Sequence, residues 1–230
     1  MAPERSALVL IGPPGSGKTT VADHLSARAD VAAIRTGHLL RKEITANSEL
    51  GRQLQADLDA GNMAPTPIVI EILVKAVRRA AAGTLLFDGF PRDLEQIEPF
   101  FQLLKETKMN LLAVAVLTLS DEEIKRRLTG RRVCPQCGAP YNLHGNQPRQ
   151  DGVCDLCGSG LVRRPDDAPE GVEKRLAVYR KETMPVIEFF KSAHPDLTRE
   201  LLVEQGTEHA IDFLHAQVRN GPAAHHRPET

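Results

Sequence analysis

The residues Gly12-Pro13-Pro14-Gly15-Ser16-Gly17-Lys18-Thr19 carry the spacing G-x-x-x-x-G-K-[ST], a pattern suited to gripping phosphate. Glycines at 12, 15 and 17 let backbone N–H groups crowd around phosphate oxygens, where a Cβ would block the approach. A helix opening at Thr20 and running to Ala29 adds unpaired N–H groups and the positive end of its dipole. Lys18 supplies a point charge for terminal phosphates, and the Thr19 hydroxyl can face Mg²⁺. A second group is Asp88-Gly89-Phe90-Pro91-Arg92. Asp88 ends an apolar run, and an acid at the carboxyl end of a parallel strand lies near the phosphate loop of the first strand. It can hold Mg²⁺ directly or through water, while Gly89 and Pro91 form a rigid turn that aims Arg92 at the same crevice. A third group is Cys134, Cys137, Cys154 and Cys157, spaced C-x₂-C, sixteen residues, C-x₂-C. This fits a tetrahedral, structural Zn²⁺ site with no open position, its knuckles ending in Gly138 and Gly158. Two disulfides are the alternative, which reducing conditions inside a cell disfavour.

These groups need elements to hold them. Apolar runs at Ser6–Ile11, Thr84–Phe87, Leu111–Leu117 and Glu200–Val203, with a weaker one at Val31–Ile34, suit parallel strands buried on both faces. Helical patterns fall between them at Gly37–Thr45, Ser48–Ala60, Pro67–Ala82, Leu94–Thr107, Asp121–Thr129, Gly171–Ser192 and Glu208–Arg219, after a first helix that ends near Ala29. The alternation predicts an α/β fold, a doubly wound parallel sheet in three layers. Thr66-Pro67 reads as an N-cap with proline at the first helical position, and Ser120-Asp121 as another helix start. Gly130 to Asp167 shifts to Gly, Pro, Arg and Cys and reads as a small inserted module that metal would hold together. The last ten residues read as a frayed tail in which His225-His226 has no role. Lone arginines such as Arg78, Arg79, Arg126 and Arg127 read as solvated surface charges.

With 230 residues the chain can bury a sizeable core, and a formal net charge of −1 gives no field that would draw it to nucleic acid or membrane. No apolar run reaches the length of a membrane span and no leader is evident, so a cytoplasmic protein is expected.

Taken together, Gly12 to Lys18, Thr36-Gly37-x-x-x-Arg41, Asp88 to Arg92 and Gly130-Arg131-Arg132 closely resemble the adenylate kinases, within the nucleoside monophosphate kinases, from about Ser6 to Ala216. The resemblance implies transfer of the γ-phosphoryl of ATP to AMP with Mg²⁺, by a monomer that binds no nucleic acid. It implies that Gly12, Gly15, Ser16, Gly17, Lys18, Thr19, Thr20 and Arg131 bind ATP. It implies that Thr36, Arg41, Ala64, Gly89, Arg92, Gln96, Arg164 and Arg175 bind AMP, and that Arg164 and Arg175 converge on the transferred group. Lys18, Asp88, Arg92, Arg131, Arg164 and Arg175 form the implied catalytic set, with Arg132 as the neighbouring Arg of the family motif. It also implies a division into core (1–35, 83–129 and 168–220), AMP-binding arm (36–82), zinc lid (130–167) and tail (221–230). The module resembles the zinc-bearing lid of the long bacterial forms, and Arg164-Pro165-Asp166-Asp167 matches the family's R-x-D-D.

Three departures stand out. His38 replaces the usual Asp, either removing an acid from the Mg²⁺ and phosphate region or merely facing solvent. Thr19 replaces Gly. Gly61 to Pro67 departs from the usual Gly-x-x-Val-Pro-Asp-Glu. Two rivals follow: a kinase of UMP, CMP or another monophosphate, and a nucleotide-regulated zinc-ribbon protein that grips nucleic acid. The second would need basic residues interleaved with aromatics, and the module has a single aromatic residue, Tyr141.

Overall fold

The computed structural model describes residues 5–28, 30–59 and 62–221; Ala29, Ala60, Gly61 and the His225-His226 tail lie outside the described residues. In chain order the elements are β1 (Arg5–Ile11), α1 (Lys18–Arg28), β2 (Val31–Arg35), α2 (Thr36–Thr45), α3 (Glu49–Asp59), α4 (Thr66–Arg79) and β3 (Thr84–Asp88). Then follow α5 (Ile97–Glu106), β4 (Met109–Thr118), α6 (Asp121–Gly130), β5 (Arg131–Val133), β6 (Pro140–Asn142), α7 (Pro169–Val178), α8 (Met184–Ala193), β7 (Thr198–Leu202) and α9 (Glu208–Asn220).

The main sheet runs β2-β3-β1-β4-β7 with every pairing parallel. Alternation along the central strands feeds two separate cores, as pleated strands require. Ala7, Val9 and Ile11 of β1 face one way, packing with residues of α2, α3, α4, α5 and α8, among them Leu73, Phe100 and Phe190. Leu8 and Leu10 face the other way, against Val21 and Leu25 of α1 and Leu214 of α9. Both faces are therefore covered, which is why the strands read as unbroken apolar runs.

Three expectations about these elements need correction. β7 is not a buried strand: Arg199, Glu200 and Leu202 are exposed, because an edge strand has only one neighbour to cover it. Thr66 is the first helical residue of α4 rather than its cap; Pro65 flanks it and no side chain caps the end. Ser48 by contrast does cap α3, its Oγ accepting from the Gly51 amide at 2.9 Å. The single helix expected over Gly171–Ser192 is interrupted by a π-turn at Tyr179–Thr183. Pro185, just beyond, has no N–H for the regular ladder, and the wider turn absorbs the break. Within that turn the Thr183 hydroxyl donates to the Arg92 carbonyl at 2.8 Å, so the interruption ties α7–α8 to the loop after β3.

The insert after α6 contains β5 and β6, antiparallel, where the sequence suggested no strands. Its apolar core is only Cys134, Ala139, Tyr141 and Cys154, with Leu161 against them. Among the described residues, no helix is long and apolar enough to cross a membrane.

Candidate active site

The carboxyl ends of β1, β2 and β3 open into a crevice of about 820 Å³. The phosphate loop forms its floor. A Cβ on Gly12 would stand 2.7 Å from the Leu117 carbonyl, so no other residue fits where the loop leaves β1 against β4. Lys18 Nζ donates to the carbonyls of Gly12 (2.9 Å) and Pro13 (2.8 Å) and to Ser16 Oγ at 3.2 Å. Ser16 is fully buried, so its hydroxyl steadies Lys18 rather than facing the crevice. Burial first of all draws the Lys18 ammonium down to about 7, Arg92, Arg175 and Arg131 push the same way, and Asp88 offsets part of it.

Asp88 lies in register with Leu10 on one side and Arg35 on the other. Burial raises its carboxyl above the usual range, against the pull of Lys18 and Arg35. Lys18 and Asp88 are thus both held against their charged forms, burial outweighing their mutual attraction. The Thr19 hydroxyl donates to Asp88 Oδ2 at 3.3 Å, which brings the two oxygens expected to face Mg²⁺ side by side.

Cations crowd the walls. Burial, then the neighbouring Arg175, draw Arg92 down to about 10. Burial, then Arg131 and Arg41, draw Arg164 down to about 9. Burial leads the lowering of Arg41 and Arg175 too, with Arg131 next in each. Such mutual repulsion among desolvated cations is relieved by a polyanion, and perturbed groups gathered in a cleft mark a functional site. Asp167, fully buried, holds two of them: it accepts from Arg131 Nε at 2.6 Å and from Arg175 Nη1 at 2.8 Å. Arg175 also reaches Asp166 at 3.1 Å.

Of the residues singled out in the sequence, Gly12, Gly15, Gly17, Lys18, Thr19, Thr20, Arg41, Asp88, Gly89, Arg92, Arg131, Arg164 and Arg175 all line this crevice. Thr36, Ala64 and Gln96 do not. Thr36 is buried with its hydroxyl unpartnered. Ala64 lines a separate cavity of about 770 Å³ between α4, the turn after Arg92 and α7–α8. Gln96 sits on a 3₁₀ turn, Leu94–Gln96, that Asp93 caps. It is 1 % exposed; its Oε1 accepts from the Arg92 amide at 2.9 Å and its Nε2 donates to Asp93 Oδ2 at 2.6 Å. One N–H and one lone pair of the amide are left uncommitted.

Arg132 donates to the carbonyls of Thr129 and Arg131 and does not line the crevice. Arg78 and Arg79 are exposed as expected. Arg127 is not a solvated charge: it pairs with Glu123 at 2.6 Å and donates to Val203 O and Glu204 O at 2.7 and 2.9 Å, fastening α6 to the loop after β7. Sequence reasoning also gave no role to Arg35, at the end of β2, or to Asp23, its ion-pair partner on α1, both on the crevice wall. Nothing local marks that pair. For Asp167 the R-x-D-D motif was a signal.

The four cysteine sulfurs lie within 4.8 Å of one another, with Cys134 and Cys157 at 3.4 Å and Cys137 and Cys154 at 3.5 Å. Tetrahedral Zn–S bonds of about 2.3 Å place sulfurs roughly 3.8 Å apart, so the set fits Zn²⁺. All four are free thiols. Each knuckle ends on a glycine with φ near +75° (Gly138 at 78°, Gly158 at 73°), which tucks Gly138 N onto Cys134 O and Gly158 N onto Cys154 O. The Tyr141 hydroxyl meets Cys154 Sγ at 3.6 Å and accepts from the Asp155 amide at 2.7 Å.

A family model described as "Adenylate kinase" matches residues 10–194. An adenylate kinase of Clostridium perfringens (strain SM101) is 38% identical over 202 residues, 87% of this chain and 91% of the relative. Those of Caldicellulosiruptor bescii and Pyrococcus furiosus are 37% identical over 213 residues (87% and 99%) and 40% identical over 184 residues (80% and 83%).

Proposed function

The chain belongs to the adenylate kinase family, and on that premise we propose that this crevice moves the terminal phosphoryl of ATP to AMP, reversibly and with Mg²⁺, giving two ADP. One observation carries the reading: Lys18, Arg41, Arg92, Arg131, Arg164 and Arg175 converge on a single crevice that also holds Asp88 and Thr19. Phosphoryl transfer asks for positioning and positive charge rather than a covalent partner, and this is such an arrangement.

In this reading the loop amides and Lys18 hold the ATP phosphates, Lys18 exchanging its carbonyl partners for phosphate oxygens. Arg41 and Arg92 hold the AMP phosphate, each able to offer a bidentate fork. Arg131 spends Nε and Nη2 on Asp167, which leaves its Nη1 end for phosphate, with Arg164 and Arg175 beside it. Thr19 and Asp88 would hold Mg²⁺, which supplies charge neutralisation between the phosphates. The insert, 130–167, acts as a lid whose closure excludes water that would otherwise take the phosphoryl, a role for which adenylate kinase lids are a known example; residues 36–82 form the AMP-binding arm. Zn²⁺ on the four cysteines holds the lid together, since its core is too small to fold unaided. The complete cation set comes from one chain, which supports a monomer, and four free thiols suit the reducing cytoplasm. Tyr141 is buried with its hydroxyl committed, so it offers no face for stacking bases, which speaks against the nucleic-acid rival.

A coupled assay with ATP and each of AMP, GMP, CMP and UMP tests the assignment; AMP should give the highest kcat/KM. Gln96→Ala should shrink the preference for AMP by roughly 1–3 kcal/mol, the scale of one bidentate base contact. Neither Thr36 nor Gln96 lines the crevice; what supports this base reading is the unpartnered Thr36 hydroxyl and the uncommitted edge of the Gln96 amide. A CMP or UMP rate above that of AMP, or unchanged ratios in Gln96→Ala, would defeat it.

One Zn²⁺ per chain is expected from elemental analysis of protein purified under reducing conditions. Cys154→Ser should release the metal and melt the lid at lower temperature while leaving the core transition in place. Protein that melts identically with and without metal would rule out a structural zinc.

A further inference from the structure

His38 lies on the first turn of α2, exposed, and on the wall of the same crevice. The groups around it are nearly all cations. Arg35 at the end of β2, Arg41 and Lys42 on its own helix, and Arg164 near the end of the insert all repel a positive charge on its ring. Four acids in and beside the crevice are engaged elsewhere. Asp23 pairs with Arg35, Asp88 accepts from Thr19, and Asp166 and Asp167 hold Arg175 and Arg131. Among the described residues no carboxylate pairs with the imidazole and no hydrogen bond fixes its ring.

We propose that His38 is a phosphate-contacting residue that meets the substrate neutral and takes up a proton from solvent when the phosphate of the monophosphate reaches the crevice. The inference rests on the AMP reading above and adds to it a residue and a proton count. Partial burial and then the repulsion of Arg41, Arg35, Lys42 and Arg164 hold the imidazole below its ordinary value. A phosphate dianion settling among those arginines reverses the local field, and an opposite charge a few ångströms away favours the ionised form. The neutral ring would repel the phosphate no more than water does, while the imidazolium adds a donor with charge. No bond is made or broken; one proton moves from solvent to a ring nitrogen. An Asp at this position would do the reverse, presenting a fixed anion to the phosphate.

The sign of the linkage follows. A group whose pKa is low in the free protein and higher in the complex strengthens binding as pH falls from the second value to the first. It gives nothing above the second. His38 therefore makes AMP bind with net proton uptake between those two values, an increment that disappears in alkali.

The test is calorimetric titration of the whole protein with AMP, repeated in buffers of different ionisation heat, for wild type and His38→Asn. The exposed position lets the Asn variant keep the fold. In the mildly acid range, around the ordinary histidine value of about 6.5, the wild type should take up a larger fraction of a proton per AMP than His38→Asn, and the gap should close by about pH 9. Protons exchanged by AMP itself or by Lys18 cancel in that difference. In a second measurement the His38 Cε1–H resonance of the wild type should titrate about one pH unit higher with AMP bound than without. Normal AMP heats with equal proton uptake in both proteins, or an unmoved resonance, would overturn the role of His38 and leave the AMP reading standing. Absence of AMP heat would overturn that reading, and this inference with it.

Discussion

Turnover of Lys18→Ala should fall roughly 10³–10⁵-fold, and Arg92→Ala should lose a similar factor, the scale on which single cations matter in phosphoryl transfer. The reason lies in what each group can replace. Lys18 Nζ sits within 3.2 Å of three loop oxygens, at the point where the loop amides converge. Lys18 is the one cationic residue of the loop from Gly12 to Thr19, and alanine leaves the carbonyls of Gly12 and Pro13 without their donor. Arg92 is half-buried and its backbone is pinned from both sides, its N–H by Gln96 and its carbonyl by Thr183. Its fork therefore points one way and is not replaced by a swing of Arg41 or Arg175. Arg92→Lys should fall between, since it keeps the charge and loses the bidentate geometry. Steady-state rates from a coupled ADP assay, with thermal melts to show an intact fold, provide the check. Near-wild-type turnover in folded Lys18→Ala and Arg92→Ala would refute the phosphoryl-transfer reading.

What could be read from the chain is what is local in it. The loop from Gly12 to Thr19, the strand ending at Asp88 and the paired cysteines are set by spacings of a few residues, and each lies where the spacing says. The core strands could be found because β1, β3 and β4 are covered on both faces and so carry no alternation to misread. Features depending on distant partners were not legible. β7 carries an apolar pair yet stands at the sheet edge, which depends on strand order rather than composition. Arg127 reads as one more surface charge until the loop at Val203 and Glu204, 76 and 77 residues on, supplies its carbonyls. Gln96 was expected to hold its amide open to a base, but Asp93 and the Arg92 amide take part of it, a competition within four residues that periodicity does not reveal. The π-turn at Tyr179–Thr183 follows from Pro185, a signal present in the chain but overridden in an otherwise continuous helical pattern.

Asp167 presents the sharpest case of a long-range partner, and removing it should cost stability as well as turnover. Its carboxylate is fully buried and accepts from Arg131 and Arg175, whose side chains are 19 % and 17 % exposed. Asp167→Ala would leave two mostly buried guanidinium groups facing each other with only Asp166 to balance them. Breaking a buried ion pair from one side costs roughly 3–5 kcal/mol; because both arginines keep some water contact, the low end, about 3 kcal/mol, is expected. In a chain of this size that corresponds to a melting temperature lower by roughly 6–12 °C. Asp167→Asn should fall less, retaining an acceptor without the charge. Stability alone would describe a structural ion pair, so kinetics must separate the two roles. Asp167 fixes which ends of Arg131 and Arg175 remain for phosphate, and its loss should depress kcat at saturating ATP and AMP, measured well below the melting temperature of the variant. A protein that melts early yet turns over normally when folded would make Asp167 a pin for the insert and nothing more. Loss of kcat in the folded Asn variant would place its carboxylate among the groups that orient the transfer site.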